Sequence, residues 1–221
     1  TRKVSEITET LCGTGFSKST ISALCQTLDP AVDSFRYRSL DRHYPFVIAD
    51  AIYMKVREDH RIRSKGFLIA IGVNAEGSRE VLGFTVADGE SKEGWSSFFE
   101  ELKARGLRDV DLVVSDDHGG LKSAIQEQFH GASWQRCQTH FSKNVLDKTP
   151  KKVHSEVKTG LNDLYNAPDL TAAIERKEHL LDWMREQAPK AAAILDEGFD
   201  DVTGVFGLPA EYRRRLRTSN S

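Results

Sequence analysis

VVSDDHGGLKSAI, residues 113–125, runs from an apolar stretch into two adjacent carboxylates, a histidine and two glycines, and then into a helical pattern. A strand-to-helix connection needs a polar cap, and Asp serves well there. Gly119 and Gly120 are expected to serve the turn. Side chains alternate along a strand, so Val110, Leu112, Val114 and Asp116 share one face and Asp117 points the other way. Capping or solvent accommodates Asp117. Asp116 continues the apolar face, where a charge is costly unless it is paired or binds a metal.

The same phase recurs upstream. In YPFVIADAIYMKV, residues 44–56, the side chains of Phe46, Ile48, Asp50, Ile52 and Met54 fall on one face. Residues 66–73 and 79–87 read as two further strands, with the turn NAEGS between them, so the three form an antiparallel meander. Trp95, Phe98, Phe99 and Leu102 mark an amphipathic helix that ends near Gly106. A strand over 109–115, a helix from Leu121 to Phe129 and a strand over 133–138 complete the order βββ-α-β-α-β. A strand-helix-strand connection implies parallel neighbours with a right-handed crossover, hence an α/β fold with a mixed sheet. If the crossover lays 109–115 beside the first strand, Asp50 meets Asp116 where open α/β sheets bind ligands. Two carboxylates ~4 Å apart repel by roughly 4 kcal/mol at an effective dielectric of 20. A hard divalent cation relieves that repulsion, and a nearby Arg or Lys is the alternative.

The flanks are helical. Val4, Ile7 and Leu11 form one short stripe. Ser17 reads as the N-cap of a second helix carrying Ile21, Leu24, Cys25 and Leu28. Helix, glycine-containing turn and helix match both a DNA-binding helix-turn-helix and a hairpin that merely packs. Asp29-Pro30 reads as the N-cap and first residue of a third helix, running to about Leu40. From Phe141 to about Gly198 the pattern is helical: Val153, Val157, Leu161 and Leu164 form one stripe, Pro168-Asp169 opens the next helix, and Pro189 opens another. The expected organisation is an N-terminal helical region (1–43), a sheet-based core (44–141), an all-helical insertion (142–210) and the start of a further core segment (211–221).

The 221 residues are 39% hydrophobic and 29% charged, which suits a globular chain and excludes disorder. No run approaches the ~20 apolar residues of a membrane span, and TRKVSEITET has no signal-peptide core. Three cysteines, Cys12, Cys25 and Cys137, suggest no disulfide framework and point to a reducing cytoplasm. The formal net charge of −2 argues against a simple basic DNA-coating protein. Cations cluster nonetheless: Lys55, Arg57, Arg61, Arg63 and Lys65 in one expected loop, Lys148, Lys151 and Lys152 in a second group, and Arg213, Arg214, Arg215 and Arg217 in a third. Each cluster suits either phosphate contact or a solvated surface.

YPFVIADAIYMKVRE, REVLGFTVADGESKEGWSSFFEELKARGL, VVSDDHGGLKSAI and WQRCQTHFSKNVL resemble, in this order, the Mutator-type transposases of bacterial insertion sequences. The likeness runs from the N-terminal helices through RRRLRTSN. It implies a ribonuclease H-like fold with a catalytic triad of two Asp and one Glu, and an all-helical insertion before the Glu. Asp50 resembles the first acid and Asp116 the second, together holding Mg²⁺ or Mn²⁺, with two ions in the complete enzyme. Cys137 and His140 match the family's Cys-x-x-His element, read here as shaping the site or positioning DNA. His118, next to Asp116, suits either a role in orienting water or phosphate or a plain surface histidine. Lys18, Lys55, Arg57, Lys151, Lys152, Arg213, Arg214 and Arg215 are the candidates for DNA contact.

The family's Glu follows the stretch matched here by Arg217, Thr218, Ser219 and Asn220, so a C-terminally truncated chain is expected, inactive alone. By resemblance the whole enzyme cleaves DNA and transfers strands, as a homo-oligomer on terminal inverted repeats and target DNA, in the bacterial cytoplasm at the nucleoid. The alternatives are a non-catalytic DNA-binding or oligomerising fragment that competes with intact transposase, and a stand-alone nuclease, which the helical insertion disfavours.

Overall fold

The structure is a computed structural model and describes residues 16–58 and 60–219 together with Ile7 and Thr10. It divides into two compact units, Thr1–Ser39 and Leu40–Ser221.

In the first unit, α1 (Lys18–Gln26) is capped by Ser17, whose hydroxyl accepts from the Thr20 amide at 3.1 Å. Of the expected apolar stripe only Ile21 is buried, while Leu24 and Leu28 stand exposed. The second helix, α2 (Asp29–Tyr37), begins one residue earlier than the sequence suggested. Leu28 is its N-cap and Asp29 lies in the first turn beside the proline. It ends at Tyr37 rather than Leu40. The stripe of Val4, Ile7 and Leu11 falls mostly outside the described residues.

The second unit is built on a five-stranded sheet of order β3-β2-β1-β4-β5. Strands β1 (Phe46–Glu58), β2 (Arg61–Val73) and β3 (Arg79–Ala87) form the antiparallel meander. Strands β4 (Leu112–Ser115) and β5 (Ser133–Arg136) run parallel to β1. Helices α3 (Lys92–Ala104) and α4 (Gly119–Gln128) make the crossovers. This is the ribonuclease H-like mixed sheet expected from the sequence.

The hairpin of β1 and β2 also departs from expectation. The cations at 55–65 are not in a loop but on a long hairpin, where Met54 faces Lys65 and Glu58 faces Arg61. Lys55 and Arg57 are exposed on its outer half, and Lys65 is paired with Glu58 at 3.0 Å. Charged side chains spaced along two paired strands lack the apolar alternation by which a strand is recognised, so the hairpin reads as a loop.

The two faces of the sheet are covered differently. Val47, Ala49, Leu68, Leu82 and Val113 pack against Trp95, Phe98, Phe99, Leu121 and Ile125 of α3 and α4. Phe46, Ile48, Val73, Leu112 and Val114 on the other face pack against Val205 and Leu216. Four helices follow β5: α5 (Gln138–Asp147), α6 (His154–Tyr165), α7 (Leu170–Gln187) and α8 (Pro189–Thr203). They bury their own apolar cluster, which includes Phe141, Val157, Leu161, Leu164, Leu181 and Phe199. Asp169 caps α7 by accepting from the Ala172 amide at 2.8 Å. Two buried glutamines hold the far end of the bundle, Gln135 of β5 tying it to the sheet and Gln138 of α5 tying α5 to α8. Gln135 Oε1 accepts from the Val205 amide at 3.0 Å, and Gln138 Nε2 donates to the Val202 carbonyl at 2.9 Å. A short last helix, α9 (Ala210–Leu216), returns the chain to the sheet.

Candidate active site

Asp50 and Asp116 come together through strand register. Phe46 pairs with Leu112 and Ile48 with Val114 across the parallel β1–β4 ladder, so the next residues on that face are Asp50 and Asp116. The apolar rows beneath both acids are fully packed. Burial pushes the Asp50 carboxyl up, and the Asp116 charge adds to that push. Hydrogen bonds from the Ser219 hydroxyl and from the Ala51 amide, the latter at 2.9 Å, oppose it, as does the positive field of His140. Asp116 Oδ1 accepts from the His118 amide at 3.2 Å, which fixes the carboxylate at the strand end.

The turn after β4 differs from its sequence reading. Gly119 and Gly120 are the first residues of α4 rather than a turn, and His118, not Asp117, is the N-cap. Asp117 is drawn away by cations, meeting Lys122 at 3.0 Å and Arg136 at 3.1 Å. Gly120 has a packing reason. A Cβ there would lie 2.6 Å from the Glu90 carbonyl and 2.9 Å from the Lys92 amide. The helix therefore meets the 90–92 backbone at a distance no side chain allows.

That close approach brings in a carboxylate the sequence reading missed. Glu90 has only 8% of its side chain exposed and lies 3.9 Å from His118 Nδ1. Burial raises its pKa and the Asp116 charge adds to this, while His118 and a hydrogen bond with Tyr53 oppose it. Glu90 sits between a strand and the helix cap Ser91, with no apolar periodicity to mark it as part of a site.

Cys137 and His140 lie at the start of α5 and grip the segment after α9. The Ser219 amide donates to Cys137 Sγ at 3.2 Å, Thr218 Oγ1 lies 3.4 Å from the same sulfur, and Ser219 Oγ lies 3.4 Å from His140 Nδ1. The Gln138 amide donates to the Arg217 carbonyl at 2.8 Å. Burial alone would raise the Cys137 thiol, but hydrogen bonds from His140, Ser219 and Thr218 outweigh it and bring the thiol down to about 6. The Cys137 contact raises His140, burial opposes this, and the charges of Asp50 and Asp116 raise it further. Ser219 thus links the Cys-x-x-His element to Asp50. It lies far along the chain from both, and only the RTSN resemblance pointed toward it.

The basic candidates are dispersed. Lys151 and Lys152 are exposed in a single 3-10 turn before α6. Arg213 donates to the carbonyls of Leu208 at 2.9 Å and Pro168 at 2.7 Å, and Arg215 donates to the Gly77 carbonyl at 2.9 Å. These two cations brace α9, while Arg214 is exposed. Lys18 opens α1, and its side chain lies outside the described residues. Glu197 lines a cavity with Asp117 and Arg136. Among the described residues no group of three or more His, Cys, Asp or Glu side chains is arranged to hold a metal ion. Asp50 and Asp116 supply two oxygen donors of the kind Mg²⁺ prefers. No helix of the described residues is long and apolar enough to cross a membrane.

The sequence is similar to the transposase for insertion sequence element IS256 in transposon Tn4001 of Staphylococcus aureus, with 42% identity over 223 residues, 100% of this chain and 57% of the relative. It is similar also to the transposase for IS1081 of Mycobacterium tuberculosis, with 41% identity over 221 residues, 100% of this chain and 53% of the relative. The chain therefore spans about half the length of these relatives. The magnesium complex of the HTLV-2 integrase catalytic core domain superposes loosely, with a TM-score of 0.25 and 13% identity over 63% of this chain and 85% of that one. The profile described as "Transposase, Mutator family" matches residues 1–221, and the chain belongs to that family.

Proposed function

We propose that this chain forms the larger part of the catalytic region of an insertion-sequence transposase, and that Asp50 and Asp116 are two of its metal-binding acids. The observation that carries the reading is the β1–β4 register, which continues two buried apolar rows into two carboxylates. Asp50 and Asp116 would hold a divalent ion, which would supply Lewis-acid chemistry for in-line displacement at phosphorus by water or a 3′-hydroxyl. The protein's own part is positional. The Ala51 amide and the Ser219 hydroxyl orient Asp50, and the His118 amide orients Asp116. Cys137 raises the pKa of His140, whose positive field opposes the upward push of burial on Asp50. Exposed cations such as Lys55, Arg57, Lys151, Lys152 and Arg214 hold backbone phosphates. In the longer protein a Glu after Asn220 supplies the third acid that the resemblance implies, and copies assemble on the element's inverted repeats and on target DNA at the nucleoid.

A second reading concerns the 221-residue chain alone. Asp50 and Asp116 match two of the acids that the resemblance implies and residues 1–221 hold no match to its Glu, so in this reading they bind DNA without cutting it. The test is an assay on DNA carrying the element's ends, comparing this chain with one extended through the downstream Glu. The extended protein should cut in Mg²⁺ or Mn²⁺, and Asp50→Ala or Asp116→Ala should lower the rate by at least about 10³-fold, a loss of roughly 4 kcal/mol in transition-state stabilisation. Full activity in either variant would remove these acids from the mechanism. Robust cleavage by residues 1–221 would show that another group, Glu90 or Glu197 first, completes the site.

A further inference from the structure

A groove of about 520 Å³ opens beside the acidic centre, between α5, α6 and the segment after α9. Three cations line it, Lys143, Lys158 and Arg217, against the single carboxylate of Asp147. None of the three cations makes an ion pair among the described residues; Arg217 Nη1 donates to Asn166 Oδ1 at 3.0 Å. Its floor is apolar. Leu146 and Leu161 contribute to it, and so does Tyr165, whose hydroxyl meets Ser142 Oγ at 3.0 Å. At the inner end Thr139 and Thr218 touch through their hydroxyls at 2.9 Å. Thr218 also contacts Cys137, and its neighbour Ser219 reaches both His140 and Asp50. One end of the groove is therefore a single residue from the group that orients Asp50.

Cations and hydroxyls above an apolar floor match a nucleotide, with phosphate and sugar on the rim and the base on the floor. A paired base is stacked inside the duplex and cannot present its face to such a groove, whereas an unpaired one can. We propose that the groove receives an unpaired nucleotide of the DNA strand that leaves the Asp50–Asp116 centre, with Lys143, Lys158 and Arg217 on its phosphates. This rests on the reading of the chain as part of a DNA-acting transposase. The helices α5 and α6 thereby gain a role in holding a frayed or cleaved strand end.

The test is equilibrium binding of the 221-residue chain to a blunt DNA duplex and to the same duplex with a short unpaired 3′ or 5′ tail, across salt. The wild type should prefer one of the tailed forms by about tenfold. The double variant Lys143→Ala/Lys158→Ala should lose that preference yet still bind the blunt duplex. Its salt slope on tailed DNA should be shallower by about 0.7 for each cation removed. Lys151→Ala/Lys152→Ala, which alters cations outside the groove, should weaken both DNAs alike and keep the preference. Both lysines of the groove variant are exposed on helices, and an unchanged circular dichroism spectrum would confirm its fold. Equal affinity of the wild type for blunt and tailed DNA, or a preference that survives in the groove variant, would overturn the groove while leaving the transposase reading intact. Failure of the wild type to bind any of these DNAs would overturn both.

Discussion

Cys137 and His140 push one another's protons in opposite directions, and the linkage has a definite sign. The thiol falls to about 6 in the folded chain from an ordinary 9.0. A depressed acid stabilises the fold above its unfolded pKa and loses that contribution as pH falls through its folded pKa. The thiolate's contribution is thus absent below about 6, grows as pH rises, and is complete above 9.0. His140 runs the other way: its raised pKa stabilises the fold below 6.5, and that part is lost as pH rises through the raised value. Cys137→Ser should remove the thiolate's part. The gap in unfolding free energy between wild type and variant should widen from pH 5.5 to 8.5, by at most about 1.4 kcal/mol per pH unit. Denaturant titrations at three pH values read it, and parallel profiles would show that Cys137 is an ordinary buried thiol.

The β4–α4 connection is the element on which the acidic centre depends. It must end a buried strand, turn Asp116 toward β1 and start a helix against the 90–92 backbone within a few residues. Gly119 and Gly120 look equivalent in sequence and differ entirely in space. Nothing lies within 4 Å of a Cβ added at Gly119, while one at Gly120 would strike the Glu90 carbonyl and the Lys92 amide. Backbone cannot swing aside as a flexible side chain does. Gly120→Ala should cost about 1–3 kcal/mol through overpacking. Gly119→Ala should be neutral or stabilise by up to about 1 kcal/mol, because Ala forms helix better than Gly. Urea unfolding of the pair gives the comparison, and equal midpoints would mean that the helix start relaxes freely.

At the scale of the whole molecule, charge is divided rather than net. A chain of formal charge −2 carries exposed cations on the β1–β2 hairpin, the turn before α6 and α9. DNA binding should weaken steeply with salt, with a log–log slope near about −0.9 for each duplex phosphate contacted. Binding isotherms from low to moderate salt measure that slope. A flat response would reduce the cations to solvated surface. Arg213 should add less to the slope than Arg214, because its Nε and Nη1 donors already serve backbone carbonyls.

The succession of strands and helices, the phase of Asp50 and Asp116 and most helix starts were legible in sequence because each depends on local periodicity and capping. The apolar run from Leu112 to Val114, the Trp95–Phe98–Phe99–Leu102 stripe and the Asp169 cap carry their own signal. The outer halves of β1 and β2 did not, since their charged residues are held as strands by pairing with each other rather than by burial. Nor did the roles within clusters: Arg213 and Arg214 are adjacent, yet one braces α9 and the other faces solvent. Glu90, Ser219 and the groove floor are set by contacts between residues distant in the chain. Sequence alone determined which residues alternate, cap and repeat, because those properties are local. Only the tertiary structure decided which carboxylates, hydroxyls and cations share a site, because side-chain proximity across dozens of residues follows from packing and not from spacing.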